Sequence, residues 1–294
     1  MKEEAVGLSR TLRAAANAAL AELGRDGDLR PVWFTGRRAI FLQAEPAPPL
    51  FIKVYQQASQ LEREVAVMRR ASEADIPVAP LVSFVAGPPA VLITEQVAGV
   101  PLSSVFPGAA KGAGRILRRF HALGAAPPFA GGGRRWSAFI RSWAEREIVE
   151  SLARGALPPG EASALQRHYS QLAPVLDQRP CALILGDCQT DHVLVDPTTQ
   201  EVRAILDFVD TQPGDPLVDV AVLTLWDAAL TAPVLRGYGE DIEEAAALLP
   251  AYRLLRHLGA ANWLVRHGLP DEALRHDRAV REYVSELRAG RREP

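Results

Sequence analysis

Lysine is what this sequence has least of among its charged residues. Of the 33 basic residues in 294, only Lys2, Lys53 and Lys111 are lysines. A lysine that survives such a bias towards arginine invites a chemical reason, although Lys2 and Lys111 also read as leftover surface residues. Cysteine is scarcer still. Cys181 and Cys188 lie too close together to staple much of a fold and match no metal-ligand spacing, so a disulfide scaffold is excluded and a reducing, cytoplasmic setting is expected. No run of eighteen apolar residues occurs, which excludes a membrane-spanning helix. Charge of one sign is lacking too: the net charge is −2 and the pI about 6.3, so neither a nucleic acid nor an anionic membrane is expected as a partner. The opening MKEEAVGLSRTLRAAANAALAELG places two acids directly after its lysine and spaces its apolar residues for an amphipathic helix, unlike a signal peptide.

What is present is ordinary for a globular enzyme, with 48% hydrophobic and 23% charged residues, and long enough for one large domain or two lobes. After the first helix, PVWFT (31–35), AIFLQAE (39–45) and PLFIKVY (49–55) read as strands separated by Gly36 and the 46–49 proline run. The third strand alternates, Phe51, Lys53 and Tyr55 on one face against Leu50, Ile52 and Val54 on the other. In QLEREVAVMRRAS, Leu61, Val65 and Met68 recur at helical spacing; Glu64 falls within that stripe and Glu62 outside it. LVSFVA (81–86) and AVLITEQV (90–97) read as further strands, AGVPL (98–102) as a connector, and the chain from about residue 108 as helices interrupted by a strand block over 181–207. The loop AGGGRR (130–135) reads as a link rather than a phosphate cradle. The expected class is α+β, a small antiparallel-sheet lobe over 1–97 followed by a larger, mainly helical lobe over 98–294.

The chemistry concentrates in that strand block. In LILGDCQTDHVLVD, Asp187 ends one apolar strand, and Asp207 ends another in RAILD; strand ends brought side by side would converge a carboxylate pair, which a cation or a substrate proton usually compensates. His192, five residues after Asp187, is close enough along the chain to share a metal or a phosphate oxygen. Asp210, Asp215 and Asp219 extend the acidic set, with Asp215 before a proline and Asp196 in DPTT reading as turn or cap residues. A strand lysine, a glutamate on the next helix, a strand-end aspartate, a ligand five later and a second strand-end aspartate form an ordered inventory for metal-assisted phosphoryl transfer.

In that order and spacing the chain resembles the aminoglycoside phosphotransferase family, small-molecule kinases with a bilobal protein-kinase-like fold. The resemblance runs from FIKVY and REVAVMRR through TEQVAGVPL (94–102) and LRRFHAL (117–123) to GDCQTDHVLVD, AILDFVD and GDPLVDVA. It implies that Lys53 contacts the phosphates of ATP or GTP and pairs with Glu64, that Asp187 is the catalytic base, that His192 and Asp207 hold Mg2+, and that the backbone around Glu95 to Val97 receives the purine. The phosphate-covering loop would be FTGRRA, with Gly36 its only glycine. The implied reaction moves the γ-phosphoryl group to a hydroxyl of a small molecule, an aminoglycoside-like antibiotic or a sugar, choline or amino alcohol. Two positions depart from the family's pattern: Leu185 stands where His is usual and His192 where Asn is usual.

Two other functions compete with this one. A kinase homologue that binds nucleotide or ligand without transferring phosphate is favoured by Leu185 and the single glycine, and disfavoured by Lys53, Asp187 and Asp207. A metal-dependent phosphohydrolase is suggested by GDxxxDH, but it needs further histidine ligands, and His257, His267 and His276 read as surface positions on helices. His121 reads as a packed or capping histidine, and Cys188 as structural, since no partner base marks it as a nucleophile. The acidic GEDIEEAA (239–246) reads as a solvated helix start that could also face a cationic acceptor.

Overall fold

The computed structural model describes residues 2–35, 38–124, 135–239 and 242–289. In chain order its elements begin α1 (Lys2–Glu22), β1 (Arg30–Thr35), β2 (Arg38–Gln43), β3 (Leu50–Tyr55), α2 (Ala58–Glu73), β4 (Leu81–Val85), β5 (Ala90–Glu95), β6 (Val100–Pro101) and α3 (Pro107–His121). They continue with α4 (Trp136–Ala153), α5 (Pro159–Gln171), α6 (Ala173–Leu176), β7 (Ala182–Ile184), β8 (Val193–Val195), β9 (Val202–Ile205), β10 (Gln212–Gly214), α7 (Leu217–Leu223), α8 (Thr231–Tyr238), α9 (Ile242–Arg266) and α10 (Pro270–Arg288). The expected α+β class is the one observed. The chain divides into two compact units, residues 1–112 with 190–211, and residues 113–189 with 212–294.

The first unit is built on a five-stranded sheet in the order β1-β2-β3-β5-β4, with every neighbouring pair antiparallel. The period of two along β3 decides what each face does. Leu50, Ile52 and Val54 enter a core with Leu12, Ala16 and Leu20 of α1 and with Val91 and Ile93 of β5. Phe51, Lys53 and Tyr55 take the opposite face, where α2 buries Leu61, Val65 and Met68 together with Glu64. Burying an acid in that stripe requires partners, and β3 supplies them.

Also in this unit is a three-stranded sheet, β6-β8-β9. The segment expected as a bare connector therefore contains a two-residue strand, whose Val100 and Pro101 pair with Val195 and Leu194. Its Leu102 N–H is shared between the carbonyls of Thr190 and Val193, which ties residues 190–193 to this unit.

The second unit is mainly helical, with α9 packed on α4, α7 and α10. α3 and α8 cross so closely that a Cβ on Gly114 would stand 2.1 Å from the Val234 carbonyl oxygen; only glycine fits there. A two-stranded antiparallel sheet, β7 with β10, completes it. The strand block thus runs on to Gly214, beyond the expected 207. The strands that precede Asp187 and Asp207 lie in different sheets, β7 with β10 and β9 with β8.

Candidate active site

In the first unit, Lys53 is the centre of the charge arrangement. Its Nζ lies 2.7 Å from Glu64 Oε1 and 3.2 Å from Asp207 Oδ1. Glu64 is only 1% exposed, and its second oxygen accepts the Tyr55 hydroxyl, so both oxygens are occupied. The aromatic next-but-one neighbour of Lys53 on its strand face thus braces the acid that holds the lysine. Burial works against the Lys53 ammonium, but the Asp207 and Glu64 carboxylates outweigh it and raise its pKa.

Asp207 follows β9 with φ of +59°, a left-handed conformation that an aspartate tolerates at some cost and that aims its carboxylate independently of the strand. Both its oxygens lie 3.4 Å from the Arg38 guanidinium, which itself sits 4.9 Å over the Trp33 ring. Burial opposes the Asp207 charge, yet Lys53, then Arg38, then His192 hold its pKa below the ordinary carboxylate value. His192 ends the single 3-10 turn Thr190–His192, and its carbonyl accepts the Leu206 N–H at 2.8 Å.

In the second unit, Asp187 sits on a turn held from below. Gly186 has φ of +79°, the left-handed step that lets the chain turn between β7 and Asp187. Asp219, fully buried near the start of α7, accepts the N–H groups of Leu185 at 2.7 Å and Gly186 at 2.8 Å. One of its oxygens also lies 2.9 Å from His121 Nε2, whose other ring nitrogen is 3.0 Å from the Tyr238 hydroxyl. His121 is therefore a packed histidine, as expected, and part of the brace. Asp187 itself meets Gln189 Nε2 at 3.0 and 3.2 Å, and Arg256 of α9 caps its Oδ1. Burial, with Asp219 and Asp187 nearby, pushes the Cys188 thiol well above its usual value, so it is no thiolate nucleophile.

Other expectations divide. Asp196 is a turn residue, accepting the N–H groups of Thr198 and Thr199 at 2.8 and 3.0 Å. Asp215 accepts the Leu217 N–H in the same manner, but it is buried and also holds Arg179 at 3.0 Å and the Tyr252 hydroxyl at 2.8 Å. His257 and His276 are not surface residues: they are 8% and 4% exposed, and their Nδ1 atoms lie 3.0 Å apart. His267 is exposed and stacked on Trp263. Gly36 and residues 130–134 lie outside the described residues, as do 240 and 241 of the acidic segment.

At residues 95–97, the N–H groups of Glu95 and Gln96 are taken by the carbonyls of Pro80 and Pro49, at 2.9 Å each. Among the described residues Val97 N–H has no backbone partner. Val97 also lines a cleft of about 440 Å³ with Ala98, Gly99, Asp196, Pro197 and Arg203. Neither Lys53 nor Asp207 borders it.

Residues 35–258 match the model of a family described as the phosphotransferase enzyme family. The chain belongs to that family. No curated protein matches it by sequence. Among solved structures it is similar to wild-type aminoglycoside 2'-phosphotransferase-IIIa in its GDP complex, at 17% identity and TM-score 0.73 over 94% of this chain and 99% of that one. It is likewise similar to a thermostable mutant of aminoglycoside phosphotransferase APH(4)-Ia in apo form, at 17% identity and TM-score 0.71 over 92% and 98%. A third similar structure is APH(3'')-Id from Streptomyces rimosus, at 22% identity and TM-score 0.61 over 84% and 98%. The protein-kinase-like fold and the small-molecule kinase class expected from the motifs are therefore those of this chain.

Within this phosphotransferase the departure at Leu185 has a physical reading. Asp219 grips the turn through the backbone of residues 185 and 186, so the turn does not depend on a histidine side chain at 185, and Leu185 is buried at 1% exposure. For a metal, the donor set is one hard carboxylate, Asp207, with the His192 imidazole near enough to bias its charge. Among the described residues no group of three or more His, Cys, Asp or Glu is arranged to hold a metal. That set fits Mg2+, which commonly uses one or two protein ligands and takes the rest from nucleotide phosphates and water; it does not fit a zinc cage.

Arg38, Arg256 and Gln189 escaped the sequence reading, as did the bond from Tyr55 to Glu64. Of these, only the Tyr55 bond had a legible signal, since the strand period puts Tyr55 on the Lys53 face. No helix among the described residues is long and apolar enough to cross a membrane.

Proposed function

We propose that this chain transfers the γ-phosphoryl group of Mg2+-bound ATP or GTP to a hydroxyl of a small molecule. Lys53, held by Glu64, takes the nucleotide phosphates, Asp207 with His192 holds the metal, and the backbone from Glu95 to Val97 receives the purine with Val97 N–H as its donor. The phosphate-covering role falls to the segment FTGRRA, with Gly36 its only glycine. Asp187 accepts the acceptor's proton. The bond from γ-phosphorus to the β-phosphate oxygen breaks, a bond to the acceptor oxygen forms, the hydroxyl proton passes to Asp187 and the nucleoside diphosphate leaves. When bound, Mg2+ would neutralise charge developing on the phosphates.

The observation that carries this reading is the shared ammonium of Lys53, 2.7 Å from Glu64 and 3.2 Å from Asp207. A lysine kept for solubility would not be sequestered between two acids, one of them buried, on the face away from the sheet's core. The turn adds to it, because Asp219 holds it through the backbone of residues 185 and 186 and takes no part of the Asp187 carboxylate. Hygromycin B occupies a similar structure of APH(4)-Ia together with AMP-PNP, so aminoglycosides are one acceptor class to test. Such a kinase would draw its nucleotide and Mg2+ from the cytoplasm, and the free Cys181 and Cys188 agree with a reducing compartment.

The test is release of ADP or GDP by purified protein given MgATP or MgGTP and a panel of aminoglycosides, macrolides, sugars and amino alcohols. Asp187→Ala should keep nucleotide binding and lower turnover by about 10² to 10⁴. Nucleotide binding without release for any acceptor would favour the binding-protein reading instead.

A further inference from the structure

Asp187 stands in an arrangement that is more cationic than a base alone requires. Gln189 donates to both its oxygens, and Arg256, 69 residues further on, caps Oδ1 with Nη2. The two side chains of that ion pair are 24% and 20% exposed, so the contact is open to solvent on one side. Its surroundings in the second unit are basic. Arg253 lies one turn before Arg256 on α9 and donates to Thr224 and Thr231. Arg275 lies over the ring of Trp226, 4.8 Å from its centroid, and that ring is 52% exposed. Burial first, then His276 and the charges of Arg253, Arg256 and Arg275, push His257 down to about 3. The nearby Asp277 offsets them in part at His276, and both its oxygens are paired with Arg154 at 2.5 and 2.8 Å.

We propose that Arg256 is a specificity-determining residue, and that the acceptor carries an anionic group, carboxylate or phosphate, beside its reactive hydroxyl. This rests on the phosphotransfer reading with Asp187 as base. A guanidinium on Oδ1 occupies a lone pair that could receive the hydroxyl proton and lowers the basicity of the carboxylate. An anionic acceptor offers Arg256 a charged oxygen of the kind that Asp187 Oδ1 offers, and so exchanges for it and releases Oδ1. A neutral acceptor offers no exchange and leaves Oδ1 capped. A polycation meets Arg256 and Arg275 on approach, and if it displaces Arg256 from Asp187 it leaves that guanidinium without a counter-charge. The arrangement thus rewards anions in the same event that frees the base.

The experiment uses the full chain saturated with MgADP, so that the phosphate-binding residues are already filled, and measures calorimetric affinity for four probes sharing a three-carbon hydroxyl skeleton. Glycerol is neutral, glycerate carries a carboxylate, glycerol 3-phosphate a phosphate, and serinol an ammonium. One of the two anions should bind at least about tenfold more tightly than glycerol and serinol, and which one does so separates a carboxylate acceptor from a phosphate one. Arg256→Gln should erase the preference, Arg256→Lys keep part of it, and Arg256→Glu turn it towards serinol. A merely structural arginine would weaken all four probes alike. A wild-type protein that binds neither anion more tightly than glycerol, or a preference that survives in a folded Arg256→Gln, overturns the proposal without needing the other variants. MgATP binding to the same protein before MgADP is added separates the two readings. Failure to bind nucleotide sinks phosphotransfer itself, whereas nucleotide bound without anion preference sinks only the role of Arg256.

Discussion

The Asp219 carboxylate accepts the Leu185 N–H at 2.7 Å, two residues ahead of Asp187, while His121 lies 2.9 Å from the same carboxylate oxygen. A fully buried acid that satisfies two backbone donors and a ring nitrogen has no substitute among apolar residues. Asp219→Ala should therefore cost about 3–5 kcal/mol, with a corresponding fall in melting temperature and in any turnover. Leu185→His tests the same relationship from the other side. Restoring the family's usual residue should destabilise by about 1–3 kcal/mol rather than activate, because it places a polar ring in an apolar site while the turn is already held. A more active, equally stable Leu185→His would show that Asp219 does not suffice.

Lys53 and Lys111 make a second comparison, since Lys111 is exposed and Lys53 is held between two acids. Lys53→Ala should lower kcat/KM for nucleotide by about a hundredfold and destabilise by about 1–3 kcal/mol, because buried Glu64 would lose its charged partner. Lys111→Ala should leave both within about twofold of the parent, as exposed substitutions usually do. Equal effects of the two in steady-state kinetics would return Lys53 to the surface class.

How far these relationships are legible in the sequence depends on how far apart their members lie and which rule brings them together. Lys53, Tyr55 and Glu64 are readable because one strand period and one helix period fix their faces within eleven residues. The grip of Asp219 on Leu185 spans 34 residues, and in sequence it is one more acid in an acidic run. Arg256 reaching Asp187 follows no local period at all. The partners of the strands before Asp187 and Asp207 are not legible, because hydrogen-bonding partners are chosen by tertiary packing: β7 takes β10 and β9 takes β8. The surface reading of His257 fails because α9 is buried on several sides, with Leu254, Leu255 and Leu258 all at 1% exposure or less, so a polar residue there marks no solvent face.

His192 and Asp207 separate by donor chemistry. An imidazole nitrogen is a softer donor than a carboxylate and suits Mg2+ less, whereas an amide oxygen is hard. His192→Asn should therefore keep activity within about threefold and show no greater Mg2+ requirement. Asp207→Asn should abolish most activity and raise the requirement, and it should also release Lys53 and Arg38 from their shared partner. Magnesium titrations of the three proteins decide it; an inactive His192→Asn beside an active Asp207→Asn would reverse the assignment.

His257 and His276 set the acid limit of stability. With Nδ1 atoms 3.0 Å apart, one ring must donate and the other accept, so the pair is compatible with neutral rings and not with two imidazolium ions. Burial, with the neighbouring charges, pushes them from 6.5 down to about 3 and about 4. As pH falls below 6.5 the unfolded chain takes up these protons and the native chain does not. Stability is thus fully present above the unfolded value and is lost as pH falls from about 6.5, down to about 4 for His276 and about 3 for His257. Asp207 acts lower, since its depressed pKa costs stability only as pH falls below the ordinary 3.8. The melting temperature should therefore drop by roughly 5 °C or more between pH 7 and pH 5, before the carboxylates titrate. His257→Phe, which keeps a ring beside Trp226 and removes one titrating group, should flatten that slope by about half. A melting temperature flat from pH 7 to pH 5, or a slope that His257→Phe leaves unchanged, would mean that the pair takes up protons in the native state as readily as in the unfolded one.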